Sequence, residues 1–182
     1  MSIKSSAEFE ALKRIGRIVR NTLDSMVGAV RPGVTTAELD EIARRSLAAR
    51  GAESSPPKVY GFPGSACISV NDEAIHGIPS GRKLEAGDLV KLDLTAEKDG
   101  FVADAAITVG VETISERAAA LAHAAEKAFC EGAKAARAGN RVYDIGRAVE
   151  GEVRRSGFAV MRRLCGHGVG RTIHEEPIVP NH

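Results

Sequence analysis

Two alternating runs joined by Asp99-Gly100 constrain this chain more than any other feature. Leu89 to Thr95 alternates Val90, Leu92 and Leu94 with Lys91, Asp93 and Thr95, and Phe101 to Val109 returns. Asp-Gly between such runs signals a two-residue hairpin, because the tight turn needs positive φ at both central residues. Lys98 then faces Phe101, Asp93 faces Ala106, and Asp104 faces Thr95. Successive strand side chains alternate faces, so residues 93, 95, 104 and 106 share one face. The two carboxylates become diagonal neighbours, about 7–8 Å apart or less at Cβ. Like charges at that range repel, and a divalent cation relieves them best, since one carboxylate can bridge two ions. The competing reading is a solvated face carrying two surface acids. Asp is depleted inside strands, which weighs against it.

The hairpin is embedded in helices. Ser5-x-x-Glu8 reads as a capping box, followed by an apolar stripe through Phe9, Leu12, Ile15, Val19, Leu23, Met26, Val27 and Val30, with Arg31-Pro32-Gly33 as the stop. Thr35-x-x-Glu38 opens a second helix through Leu39, Ile42, Ala43 and Leu47, closed at Gly51. Residues 52–83 are rich in Gly, Pro and Ser, with a short β-like run at Ile68-Ser69-Val70. A connection this long in a compact domain is usually functional. Beyond the hairpin, Ser115 caps an Ala-rich helix with Ala118, Leu121, Ala125, Phe129, Gly132 and Ala136 inward, ended by Gly139-Asn140. Val142, Ile145, Val149 and Val153 line a fourth helix up to Gly157, and Phe158 to Met161 reads as a strand.

Gly33 through Gly51 aligns without a gap with Gly139 through Gly157, and each copy follows a long amphipathic helix. His76-Gly77 and His167-Gly168 then stand as corresponding pairs. Chance similarity of two helical hairpins is the alternative. If the repeat is real, the step from His76 to Asp93, taken again from His167, runs past His182, so the second copy is unfinished.

Composition narrows the partners. Lys+Arg 25 against Asp+Glu 24 leaves a net charge of +1, with no basic excess for a phosphate backbone, so no nucleic-acid partner is expected. Apolar residues at 43% and charged residues at 27% exclude a mainly disordered chain. No apolar run reaches the ~20 residues of a membrane helix. The first ten residues carry Lys4, Glu8 and Glu10 and do not read as a secretory leader. Three separated cysteines, Cys67, Cys130 and Cys165, suit a reducing cytoplasm.

Other candidates are weaker singly. His167, in Gly166-His167-Gly168-Val169-Gly170, has small neighbours that leave its imidazole room to ligate, but it reads equally as a hydrogen-bonded loop histidine. His76 and His174 read as loop histidines, Glu175-Glu176 as a solvated pair, and His123 as surface. Cys67 and Cys165 read as small buried residues rather than nucleophiles.

Together the motifs resemble a known family. Val70-Asn71-Asp72-Glu73-Ala74-Ile75-His76-Gly77-Ile78-Pro79, Asp88 through Thr95, Asp99-Gly100, Asp104, Cys165 through Arg171, and His174-Glu175-Glu176-Pro177 resemble type I methionine aminopeptidases from about residue 5 onward. The resemblance implies an α/β (α+β) pita-bread fold with pseudo-twofold halves. It makes residues 1–182 a single incomplete catalytic domain, with a first repeat of about 5–110 and the start of a second at about 115–182. It also implies two divalent metal ions (Mn, Fe, Co or Zn), with Asp93, Asp104 and His167 as metal ligands. His76 and His174 would be catalytic and contact substrate, and Phe62 and Cys67 would line the methionine pocket with His76. Ile173 stands where the family commonly has an aromatic. The family's two Glu ligands come from later segments not found here, so this chain alone is expected to be weak or inactive.

The implied activity is metal-dependent removal of N-terminal Met from nascent polypeptides with a small second residue, in the cytoplasm, near the ribosome, by a monomer when complete. A non-catalytic binding module that has lost ligands is the alternative, and an incomplete stretch of an authentic enzyme is the third reading.

Overall fold

In the computed structural model, which describes residues 3–182, the Asp99-Gly100 turn has φ of +54° and +76°, as a tight primed turn requires. The described chain forms two compact units. One holds the residues up to Ile114 together with Val169–Ile173, and the other holds Ser115–Gly168 with His174–His182. The expectation about a leader falls partly on residues outside those described.

In the first unit, helices α1 (Ser6–Val27) and α2 (Thr36–Ala48) precede strand β1 (Glu53–Ser54), the short helix α3 (Pro56–Tyr60), and strands β2 (Cys67–Val70), β3 (Leu89–Lys98) and β4 (Phe101–Gly110). All pairings are antiparallel, and β3 is central, flanked by β4 along its length and by β2 and β1 in turn on its other edge. Asp93 pairs with Ala106 and Thr95 with Asp104, the register expected from the turn. The opposite face of β3 carries Val90, Leu92, Leu94 and Ala96, all fully buried in one core with Ile15, Val19, Leu23 and Met26 of α1 and Leu39, Ala43 and Leu47 of α2. Burying each such Leu contributes about 1.5–3 kcal/mol, so a one-residue slip that exposed this face would be prohibitive.

The caps differ in detail from the sequence reading. Thr35 and Glu38 form the full reciprocal capping box. Ser5 accepts from the Glu8 N–H, and the Glu8 carboxylate accepts from the Lys4 N–H and from Arg171. α1 ends at Val27, a turn before Arg31-Pro32-Gly33. Within residues 52–83 the structure adds β1 and α3, which carry no periodic signal because both are so short.

The second unit holds α4 (Glu116–Ala135), α5 (Val142–Arg155), and a hairpin of β5 (Cys165–Gly168) and β6 (Glu175–Pro180). Gly132 lets α4 approach α5, since a Cβ there would lie 2.9 Å from Val149 Cγ2. Three expectations need correction here. Phe158 to Met161 is not a strand: its backbone bonds are local, from the Phe158 N–H to the Val153 carbonyl and from the Leu164 N–H to the Met161 carbonyl, and pairing begins only at Cys165. The buried stripe of α4 is Ala124, Ala128 and Gly132, whereas Leu121 is 45% and Phe129 is 74% exposed. Ala125, Phe129 and Ala136 instead line an open apolar cavity of about 540 Å³ with Ile145, Val149 and Val153 of α5. Cys165 is exposed, because it opens an edge strand.

Candidate metal and substrate site

The candidate site grows from the polar face of the β3–β4 hairpin. Asp93 stands in a row with Cys67 of β2 and Ala106 of β4, so its side chain shares a face with the Cys67 thiol. Asp104 is one diagonal step away, opposite Thr95. Both carboxylates are half-buried and Cys67 is buried. Burial, first, and then the negative charges of Asp93, Asp104 and Asp40 push the Cys67 thiol up to about 12. A thiol held that high stays protonated and acts as a small apolar lining group, not a nucleophile.

His76 follows β2 on a loop that the glycine after it clamps in place. A Cβ on Gly77 would lie 2.2 Å from the Ile68 carbonyl oxygen, so only glycine fits. The Ile68 N–H donates to the Gly77 carbonyl at 2.9 Å, and the Gly77 N–H donates to Ser69 Oγ at 3.0 Å. His76 itself is exposed, with φ of +57°, an uncommon backbone state for a non-glycine residue. Phe62, partly buried, precedes Cys67 in the segment between α3 and β2.

The imidazoles His167 and His174 belong to the second unit, where their ring centroids are 4.1 Å apart. His167 Nδ1 lies 3.0 Å from the Gly168 carbonyl oxygen. A proton donated there puts the lone pair on Nε2, the tautomer a metal-ligating histidine needs. Gly168 admits this hairpin geometry, since a Cβ there would lie 2.8 Å from the carbonyl oxygens of Glu175 and Glu176. His174 is exposed, and Ile173, in the first unit, is buried.

Among the described residues, no group of three or more His, Cys, Asp and Glu is gathered closely enough to hold a metal ion. The donors nevertheless fit a divalent cation in kind: two carboxylates sharing a strand face, and an imidazole with its lone pair directed by a backbone carbonyl.

Two contributors were missed in the sequence. Asp40 lies on α2, just past the capping box, with no motif of its own. Its Oδ1 accepts from the Ser65 and Ala66 N–H groups at 2.7 and 2.8 Å, and burial pushes its carboxyl up, partly offset by those bonds. Arg171 stacks 3.8 Å from the Phe101 ring centroid, pairs with Glu8 at 2.7 Å, and sits beside Gly170, whose carbonyl accepts from the Val102 N–H. Neither has a local sequence signal, because both act on residues far along the chain.

A fold of this kind, with paired acids on a β-hairpin and a glycine-flanked histidine, defines a metallopeptidase architecture. The profile of metallopeptidase family M24 matches residues 10–182, and the chain belongs to that family. It is 47% identical over 178 residues to methionine aminopeptidase 2 of Bacillus subtilis, covering 97% of this chain and 72% of that protein. It is 42% identical over 179 residues to a methionine aminopeptidase of Clostridium perfringens, covering 98% and 72%. The methionine aminopeptidase structure from Rickettsia prowazekii superposes with a TM-score of 0.96 at 30% identity, covering all of this chain and 73% of the other. A prolidase from Pyrococcus furiosus, at 21% identity, a TM-score of 0.85, and 99% and 52% coverage, shares the pita-bread fold.

Proposed function

We propose that this chain is the greater part of a metal-dependent methionine aminopeptidase that removes N-terminal Met from nascent proteins and peptides whose second residue is small. The observation that carries the reading is the placement of Asp93 and Asp104 on one hairpin face beside buried Cys67, in a chain 47% identical to a methionine aminopeptidase. Asp93, Asp104 and His167 are the side chains that would hold the metal. Two divalent ions (Mn, Fe, Co or Zn) held there would supply Lewis-acid polarisation of the scissile carbonyl and a more acidic water. His174 steadies the carbonyl oxygen and His76 the departing amide, while Phe62, Cys67 and His76 line the slot for the thioether side chain. Hydrolysis adds one water across the first peptide bond and releases free Met.

The acting form is a cytoplasmic monomer working on chains near the ribosome. No described helix is long and apolar enough to cross a membrane.

The test is release of free Met from Met-Gly-x peptides with added Mn(II) or Co(II), beside the Bacillus subtilis relative. A chelator-sensitive release specific for Met in first position is expected. Equal rates for Met and Glu in first position, or for Gly and Leu in second, would overturn the substrate reading. Metal-independent binding of Met peptides without release would favour the non-catalytic module.

A further inference from the structure

Resting on the pocket assigned above, we infer that Asp40 is a positioning residue that sets the shape of the methionine slot from behind. It sits on α2, half-buried, and turns its carboxylate toward the segment that leads into β2. One oxygen, Oδ1, accepts from two consecutive N–H groups, Ser65 at 2.7 Å and Ala66 at 2.8 Å, the two residues immediately before Cys67. Ser54 Oγ donates to the Ser65 carbonyl at 2.7 Å, so the segment is gripped on both sides of one peptide. Gly64 completes the junction: a Cβ there would lie 2.8 Å from Pro79 Cγ and 3.2 Å from Asp40 Oδ1. Asp40, the Phe62–Cys67 segment and the loop after His76 therefore meet at one point.

The placement is costly for a carboxylate. An acid on a helix face is ordinarily left in water, and burial here disfavours its charge. Two charge-assisted bonds to backbone N–H groups offset that cost and fix the entry to β2. Without the acceptor, the Ala66 N–H, on a residue 1% exposed, loses its partner, and the segment relaxes to recover one. Phe62 and Cys67 then lose their fixed spacing, and the slot loses its fit to an unbranched thioether. Asn in place of Asp keeps an Oδ1 acceptor at the same position, so the inference separates acceptor geometry from charge.

The test compares wild type with Asp40→Ala and Asp40→Asn in two readings. The first is alkylation of Cys67, read by mass as the slow third thiol behind exposed Cys130 and Cys165. The second is the affinity for L-methionine relative to L-alanine by calorimetry with Co(II) present. Asp40→Ala should speed Cys67 labelling by about tenfold or more and erase most of the Met-over-Ala preference. Asp40→Asn should match wild type in both readings. If Asp40→Ala does not fold, Asp40→Glu, which moves the acceptor by one methylene, should give the same two changes in smaller degree. Wild-type labelling and preference in Asp40→Ala, or in Asp40→Glu where the alanine variant does not fold, would overturn the role of Asp40 while leaving the proposed function standing. A wild-type protein that binds Met and Ala equally would overturn the pocket assignment itself, and this inference with it.

Discussion

Replacing Gly77 by Ala should lift the His76 loop off β2. The added Cβ would lie 2.2 Å from the Ile68 carbonyl oxygen and 2.7 Å from its carbonyl carbon, both backbone atoms of a fully buried strand that cannot step aside. The loop must move instead, and it breaks the bonds from Ile68 N–H to the Gly77 carbonyl and from Gly77 N–H to Ser69 Oγ. Each net backbone hydrogen bond contributes about 1 kcal/mol, so the loss is about 2 kcal/mol. For a chain of this size that lowers Tm by roughly 4–8 °C. Gly81, in the same loop, has no atom within 4 Å of its built Cβ and serves as the control. Thermal unfolding followed by circular dichroism should show the drop for Gly77→Ala and none for Gly81→Ala. Affinity for Met-Gly-x should weaken in the first variant only, because His76 is displaced. Unchanged unfolding in Gly77→Ala, or equal losses in both, would refute the clamp.

Leu92→Ala, at a fully buried core position, should destabilise the first unit by about 2–5 kcal/mol in urea titration. Arg171→Ala should cost about 1 kcal/mol from the lost Phe101 stacking, and Arg171→Lys should recover part of it. The Cys67 thiol is raised to about 12 in the folded chain, above the ~8.5 of a free cysteine. Its stabilising contribution is therefore complete below pH ~8.5 and is lost as pH climbs from there toward 12, so Cys67→Ala should flatten the alkaline fall in stability. Asp104→Ala should abolish metal-dependent Met release without unfolding the chain, which activity and circular dichroism measured together will check.

How much was legible depended on how local each determinant is. The hairpin register could be read because Asp99-Gly100 fixes it within two residues and the alternation of Val90, Leu92 and Leu94 leaves one buried face. Thr35 and Glu38 could be read because a capping box closes within one turn. Phe158–Met161 misled because β-propensity does not supply a pairing partner. The Phe129 stripe misled because helical periodicity marks an apolar face, not what covers it. Asp40 and Arg171 were invisible because their partners, Ser65 and Ala66 in one case and Glu8 and Phe101 in the other, are brought to them only by folding.

The central claim, that Asp93, Asp104 and His167 are metal ligands, is tested most directly by calorimetric titration of the metal-stripped chain with Mn(II). The comparison is wild type against Asp93→Asn, Asp104→Asn and His167→Ala, each first shown to be folded. The account predicts measurable binding by wild type that each substitution sharply weakens, since Asp93→Asn and Asp104→Asn each remove a ligand charge and His167→Ala removes an imidazole donor. Equal Mn(II) affinity in wild type and all three variants would contradict it.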